Sequence, residues 1–347
     1  MRLYIVDTTL RDGEQTPGVA FSAAQKAEIA FSLSKLGVDI IEIGIPAMGN
    51  DERDAIQKIA DKNLSSSLLT WNRMLKKDID DSLLTGVKNI HVSIPASFIQ
   101  IEKKLHKTPT EVLLQTFEVI DYAIGKGCNV SIGAEDASRA NEKFLFELYQ
   151  VALSAGASRI RYADTLGVLD PFNVYKIIKK IKTKLQVDID FHGHNDFGLA
   201  TANALAAFKG GAQYISCSIN GLGERAGNTA MEEIVMALIY MAKCEVNIKT
   251  HEFVQISEMV EKYSKKCLSA NKPVVGREVF SHESGIHVDG LLKDIRTYTH
   301  LDPALLGRDN QFVLGKHSGK SAREFFKQNS DIYFTGDKGE RRFFRNQ

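Results

Sequence analysis

From residue 3 to about residue 241 the chain repeats one pattern. A short apolar run rich in β-branched residues leads into a loop with Gly, Pro or Asp, then into a stretch with apolar positions at helical spacing. The runs "LYIVDT", "DIIEIGI", "SSLLTW", "NIHVSI", "NVSIGAE", "RIRYADT", "DIDFHGH" and "YISCSIN" read as strands. Between them, "SAAQKAEIAFSLSKLG", "TEVLLQTFEVIDYAIGKG", "NEKFLFELYQVALSAGA" and "DPFNVYKIIKKIKTKL" read as helices. Ser22, Thr108, Asn141 and Asp170 stand where N-caps belong, and Gly37, Gly127 and Gly156 stand where helices end. Eight strand–helix units in about 240 residues predict a (β/α)8 TIM barrel, an α/β fold, over residues 1–245. A doubly wound sheet would use the same alternation, but the number and spacing of the units favour the barrel.

Past residue 245 the alternation stops. "THEFVQISEMVEKYSKKCL" reads as a helix, followed by "GREVFSHESGIHVDGLLKD" and "ALLGRDNQFVLGKHSGKSAREFFKQ". Residues 246–330 therefore read as a smaller, mainly helical C-terminal region, and 331–347 as a polar, loosely ordered tail.

Charge narrows the class of function. Among 347 residues, 44 basic side chains face 43 acidic ones, for a net charge of +1, which argues against nucleic acid or a membrane surface as partner. Cys128, Cys217, Cys244 and Cys267 lie far apart with no C-x-x-C, so they read as thiols of a reducing compartment. No apolar run approaches a membrane span, and the first residues enter a strand with no signal-peptide region; a cytoplasmic protein is expected.

In a barrel the chemistry gathers where strands end and loops begin. "DTTLRDGEQTPG" crowds Arg11, Asp12, Glu14 and Gln15 into one loop after the first strand. In "FHGHND", His192 and His194 are two apart on a strand, so both imidazoles leave one face. They can converge on one divalent ion, with Asp12 as third ligand because the first, seventh and eighth strands are neighbours in a closed barrel. Asn228, in the loop after the eighth strand, can add an amide. Without an ion, the two histidines would simply be polar loop residues. Arg11 can hold a carbonyl or developing alkoxide oxygen, or form a structural ion pair with Glu42 or Glu135, or do both. "NGLGERAGN" fits G-x-G-x-x-A, yet it lies in the eighth unit and carries Glu224 and Arg225 where a pyrophosphate would sit. It reads as a loop supplying Glu224 and Asn228 to the metal site. His282, Glu283 and His287 in "FSHESGIHVDG" form either an exposed turn or a lid over a rim, from the same or a neighbouring chain.

"DTTLRDGEQTPG", "FHGHND" with "GLATANALAA", and "NGLGERAGN" resemble, in order over about residues 3–326, the signature motifs of the DRE-TIM metallolyase superfamily. The likeness is to its Claisen-condensing branch of 2-isopropylmalate, citramalate and homocitrate synthases. "GIPAMG", "VSIPAS", "GAEDASRA" and "YADTLGVLDP" look most like the homocitrate synthases associated with nitrogen fixation. The resemblance implies a homodimer with exchanged C-terminal regions, one divalent metal ion (magnesium, manganese or zinc) on Asp12, His192 and His194 with Asn228 close by, and acetyl-CoA as co-substrate. It implies that Arg11 grips the keto oxygen, that Glu135, Thr165 and Glu224 position substrate or move protons, and that His287 comes from the neighbouring subunit. The leucine synthases place a tyrosine after the "GR" near this lid, where "GRDNQF" has Asn310. Too few residues follow the lid for a leucine-binding domain, so leucine feedback is not expected.

The implied reaction joins acetyl-CoA to a 2-oxo acid, then hydrolyses the thioester. His287 would serve as base or proton carrier, with Glu224 positioning it. His91 and Ser93 share one face of the fourth strand and would receive the distal carboxylate of 2-oxoglutarate; a hydrogen-bonded interior histidine is the plain alternative. Gln15 and Thr165 complete the expected substrate-binding group. An acyl-CoA lyase of the same superfamily would carry a cysteine in the loop after the eighth strand, and "NGLGERAGN" has none. A non-catalytic metal scaffold would not need Arg11 and His287.

Overall fold

The computed structural model describes residues 2–328, 333–334 and 341–344. Eight parallel strands among them close into a barrel: β1 (Tyr4–Asp7), β2 (Ile40–Glu42), β3 (Ser67–Arg73), β4 (Asn89–Pro95), β5 (Asn129–Glu135), β6 (Arg159–Asp164), β7 (Asp188–Gly193) and β8 (Tyr214–Cys217). The ring closes where β1 pairs with β8, Val6 lying opposite Ser216. Helices follow the strands: α1 (Ala23–Leu36), α2 (Asn50–Ala60), α3 (Lys76–Leu83), α4 (Phe98–Lys103), α5 (Pro109–Gly125), α6 (Glu142–Ser154), α7 (Pro171–Leu185), α8 (Ala200–Gly210) and α9 (Met231–Ala242). The N-caps read from the sequence are all in use: Ser22, Thr108, Asn141 and Asp170 each accept a backbone N–H in the first turn of their helix. Gly37 ends α1 in the left-handed region at φ 100°.

Strand alternation sorts the barrel into two environments. Ile90, Val92, Ile132, Ile160, Ile189, Phe191 and Ile215 are fully or almost fully buried, forming the apolar layer expected under the helices. Many of the alternate positions are polar, among them His91, Ser93, Ser131, Arg161, Asp190 and Ser216. Glu42 on β2 pairs with Arg161 on β6, strands that are not neighbours, so this contact crosses the barrel interior. The interior is thus built for charge, and the hydrophobic core lies between strands and helices.

The chain forms two compact units, one of Met1–Ile248 with Ile256–Lys266 and one of Lys249–Gln255 with Cys267–Gln347. The helix read after residue 245 is α10 (Phe253–Ser264). Its later part belongs with the barrel, where the Ser257 carbonyl accepts from Asn220 Nδ2 at 2.9 Å. The second unit holds α11 (Gly285–Lys293) and α12 (Lys320–Gln328). It also carries a sheet that the helical reading did not anticipate. β9 (Ser281–His282), β10 (Gln311–Leu314), β11 (Tyr333–Phe334) and β12 (Arg341–Phe344) lie in the order β11-β12-β10-β9. Two of these strands fall in the segment read as a polar tail; their backbone pairs with β10 and with each other. Val288, Leu291, Phe312 and Ala322 form this unit's own core. No helix among the described residues is long and apolar enough to cross a membrane.

Candidate active site

β1 ends at Asp7, and the chain folds back over the rim before Asp12. The Asp7 carboxylate accepts the Thr9 backbone N–H at 2.9 Å and the Thr9 hydroxyl at 2.8 Å. The Arg11 and Gly13 N–H groups both donate to the Thr8 carbonyl, at 3.1 and 3.0 Å. This turn aims Asp12 at the end of β7. There His192 Nε2 lies 3.1 Å from Asp12 Oδ2, His194 Nε2 lies 3.9 Å from the same oxygen, and the two Nε2 atoms are 3.2 Å apart. Ligands about 2.1 Å from one ion stand about 3.0 Å apart in octahedral and about 3.4 Å apart in tetrahedral geometry. The 3.1 and 3.2 Å separations match that spacing, and the 3.9 Å separation of Asp12 Oδ2 from His194 Nε2 is wider.

Electrostatics prepares the same set. Burial acts to raise the Asp12 carboxyl, but the Arg11 guanidinium and the two imidazoles hold it well below the usual carboxylate range. Burial, helped by the His192 ring, pushes His194 down to about 3, so its imidazole is in the neutral form that ligates a metal. Two buried oxygens, Asp12 Oδ1 and Asn228 Oδ1, find no donor among the described residues. An ionised carboxylate, neutral imidazole and orphaned oxygen acceptors fit a divalent cation.

Asn228 is placed by its loop. It bridges to His194, and its Nδ2 donates to the Leu222 carbonyl at 2.9 Å. A Cβ on Gly223 would lie 2.5 Å from Asn228 Cγ, and one on Gly227 would lie 2.2 Å from the Gly221 carbonyl oxygen. The glycines that mimic a dinucleotide fingerprint therefore make room for the Asn228 amide and for the loop's own backbone.

Arg11 is buried beside the cluster. Its Nη1 donates to Asp12 Oδ2 at 2.8 Å, and its Nε pairs with Glu42. Of the two ion-pair partners open from the sequence, Glu42 is the one taken; Glu135 pairs with Lys104 at 2.7 Å. A cavity of about 250 Å3 opens beside Arg11, and Gln15, His91, Ser93, Glu135, Thr165 and Glu224 also line it. Thr165 Oγ1 accepts the Asp136 N–H at 2.8 Å, and its carbonyl accepts Arg225 Nη2 at 2.6 Å. Arg225 also forks onto Asp196 at 2.7 and 2.9 Å, tying the loops after β6, β7 and β8 together.

Ten of the twelve site residues singled out in the sequence, all but Asn228 and His287, line this one cavity. Asn228 bridges to His194 and is not among the residues that line the cavity. His287 belongs to the second unit, exposed on α11 and stacked on Tyr298 with ring centroids 4.2 Å apart. In that unit His282 Nε2 lies 3.1 Å from Asn310 Oδ1, and Glu283 accepts the His317 N–H at 3.2 Å. The sequence reading missed Arg161 and Asp190. Both lie on the inward face of their strands, Asp190 two residues before His192, and that alternation was the available signal.

A family model described as HMGL-like matches residues 2–260. The chain belongs to the HMGL-like family. Residues 274–341 of this HMGL-like chain match a second model, described as homocitrate synthase post-HMGL domain-like, and the DRE-TIM resemblance holds. The chain is 50% identical over 320 residues to 2-isopropylmalate synthase 2 of Caldanaerobacter subterraneus subsp. tengcongensis, covering 92% of this chain and 83% of that relative. It is 43% identical over 319 residues to homocitrate synthase 1 of a Nostoc species, covering 92% of this chain and 85% of that relative. Other relatives are longer; the chain covers 62% of a 2-isopropylmalate synthase of Methanocaldococcus jannaschii at 44% identity and 93% of itself. The barrel superposes on hydroxymethylglutaryl-CoA lyase from Pseudomonas aeruginosa with TM-score 0.69 at 20% identity, over 80% of this chain and 96% of that one. At that identity the likeness is one of fold.

Proposed function

We propose that this HMGL-like chain is a divalent-metal-dependent acyltransferase that condenses acetyl-CoA with a 2-oxo acid and hydrolyses the thioester. One water is consumed; the products are CoA and a 2-hydroxy acid with one carboxylate more than the acceptor. The observation that carries this reading is the convergence of Asp12, His192 and His194 beside Arg11 in a barrel-mouth cavity. Relatives named as a 2-isopropylmalate synthase and a homocitrate synthase support the class.

Asp12, His192 and His194 would hold the ion, with Asn228 Oδ1 close by. A bound divalent ion supplies Lewis acidity at the keto group of the acceptor. Arg11 presents fixed positive charge where the alkoxide develops, and Glu42 keeps its guanidinium in place. Thr165, Gln15 and Glu135 orient the acceptor. His287, exposed on α11, removes a proton from the acetyl methyl group, with Glu224 positioning it. A second copy of the chain supplies that imidazole in a homodimer with exchanged C-terminal regions.

For the acceptor, the polar end of the cavity at His91 and Ser93 favours 2-oxoglutarate, giving homocitrate. A second reading rests on the relative at 50% identity, whose name points to 2-oxoisovalerate and an isopropylmalate product; pyruvate, giving citramalate, is the third acceptor to test. The experiment follows thiol release from acetyl-CoA with each of the three acids. Turnover is expected to need both acetyl-CoA and a 2-oxo acid, to stop with a chelator, and to return with added manganese, magnesium or zinc. No thiol release with any acceptor, in the presence of metal, overturns the reading.

A further inference from the structure

The candidate active site opens at the carboxyl ends of the barrel strands. At their amino ends lies a second cavity, of about 430 Å3, which shares no lining residue with the first. Seven of the eight strands place their first residue in its wall, β7 alone excepted. Branched apolar side chains ordinarily fill a barrel interior. Here β3, β4, β5 and β6 begin instead with Ser67, Asn89, Asn129 and Arg159, and β1 and β8 with Tyr4 and Tyr214.

Most of these polar groups are spent on one another. Ser158 Oγ donates to Asn129 Oδ1 at 3.1 Å, Asn129 Nδ2 to Asn89 Oδ1 at 3.3 Å, and Asn89 Nδ2 to the Leu68 carbonyl at 3.2 Å. Arg159 stands outside this chain of bonds. Its guanidinium lies over the Tyr214 ring, 4.4 Å from the centroid. Tyr214 stacks on Tyr4 at 4.5 Å with 10° between the planes, and the Arg2 guanidinium covers Tyr4 at 4.8 Å. Cation–π attraction thus holds the Arg159 plane in place, yet its buried Nε finds no acceptor among the described residues. The carboxylates of the adjacent strand are engaged elsewhere. Asp188, opposite Arg159 in the register, accepts Gln213 Nε2 at 2.5 Å, and Asp190 accepts Arg161 Nε at 2.8 Å. Asp39, the one acidic residue lining the cavity, immediately precedes β2, four strands around the ring from β6 and so across the mouth. Its Oδ2 accepts the Ile5 N–H at 2.9 Å.

We propose that this amino-terminal mouth is a second ligand site, in which Arg159 binds a small oxyanion, a carboxylate or a phosphate. A planar guanidinium presents its N–H groups in a fork that matches the oxygens of either group. A buried donor without an acceptor is costly, and an oxyanion satisfies it with a charge-assisted bond. Two arginines against one aspartate leave the wall a net positive charge, and the volume is that of a small-molecule site. The proposal concerns binding alone and is independent of the condensation reading.

Arg11 and Arg161 in the other cavity also attract oxyanions, so the test must locate the ion. Crystals of the metal-loaded protein soaked in selenate, an oxyanion with an anomalous signal, do so. The expected result is selenate at the amino-terminal mouth with an oxygen about 2.7–2.9 Å from an Arg159 nitrogen. Calorimetric titrations with inorganic phosphate and with succinate then separate the two sources. At least one of them should bind about tenfold or more weakly in Arg159→Gln, phosphate marking a phosphate site and succinate an organic-acid site. Ordered water alone against Arg159, in crystals that hold selenate elsewhere, overturns the proposal. So do equal affinities in wild type and R159Q, which would put solution binding at the other arginines. Selenate at Arg159 without measurable binding in solution is an adventitious ion only, and overturns it too. Should R159Q fold poorly, wild-type crystals decide: selenate that excess phosphate or succinate displaces from Arg159 supports the site, and selenate that neither displaces contradicts it.

Discussion

Asp12→Ala should abolish metal-dependent condensation, lowering kcat/KM by at least about a hundredfold even with excess metal. The expectation comes from the packing of three donor atoms. Asp12 Oδ2 is the one oxygen that both His192 Nε2 and His194 Nε2 approach, at 3.1 and 3.9 Å. It supplies the only formal negative charge of that donor set. Without it, two imidazoles 3.2 Å apart remain, a pair that binds a hard divalent ion weakly. Alanine also releases Arg11 Nη1 from its 2.8 Å partner, so the fold must be checked by the melting temperature. A variant that melts near wild type, binds no metal in a calorimetric titration and turns over poorly fits the account. Wild-type turnover in this variant would show that the ion, if used at all, sits elsewhere.

Arg11→Lys should lower kcat by about 10²–10³-fold with a smaller change in KM for the 2-oxo acid. Lysine keeps the charge, but it cannot serve Asp12 and Glu42 together while facing the cavity, because those roles use separate nitrogens of one planar group. The loss should therefore appear in the step where charge develops on the keto oxygen. Kinetics at saturating acetyl-CoA separate the cases. An effect confined to KM would make Arg11 a binding group, and an unchanged kcat would return it to a purely structural ion pair with Glu42.

How far these features could be read without coordinates depends on whether the signal is local. Strand runs such as "NIHVSI" and caps such as Thr108 depend on near neighbours, and the eight βα units followed from them. The H-x-H spacing is local too, since alternation along β7 sends both imidazoles to one face. Asp12 could be joined to them because a closed ring makes β1 the neighbour of β8 and puts it near β7. The Glu42–Arg161–Asp190 network is different. Its members lie 119 and 29 residues apart along the chain; Glu42 reaches Arg161 across the lumen and Asp190 stands beside Arg161 on the neighbouring strand, so alternation along "RIRYADT" turns Arg161 inward without naming its partners. The sequence offers Glu42 as a partner of Arg11; that it also anchors Arg161 depends on strand tilt and lumen width. The sheet of the second unit was missed because β9 and β11 are two residues each, too short for alternation to register.

The central claim is that Asp12, His192 and His194 bind one divalent ion together. Anomalous diffraction from crystals of the protein grown with manganese tests it most directly. The account predicts one peak about 2.0–2.2 Å from Asp12 Oδ2 and from both Nε2 atoms. A peak at another cluster, or manganese-saturated crystals with Asp12 turned away and no density between the imidazoles, would contradict it.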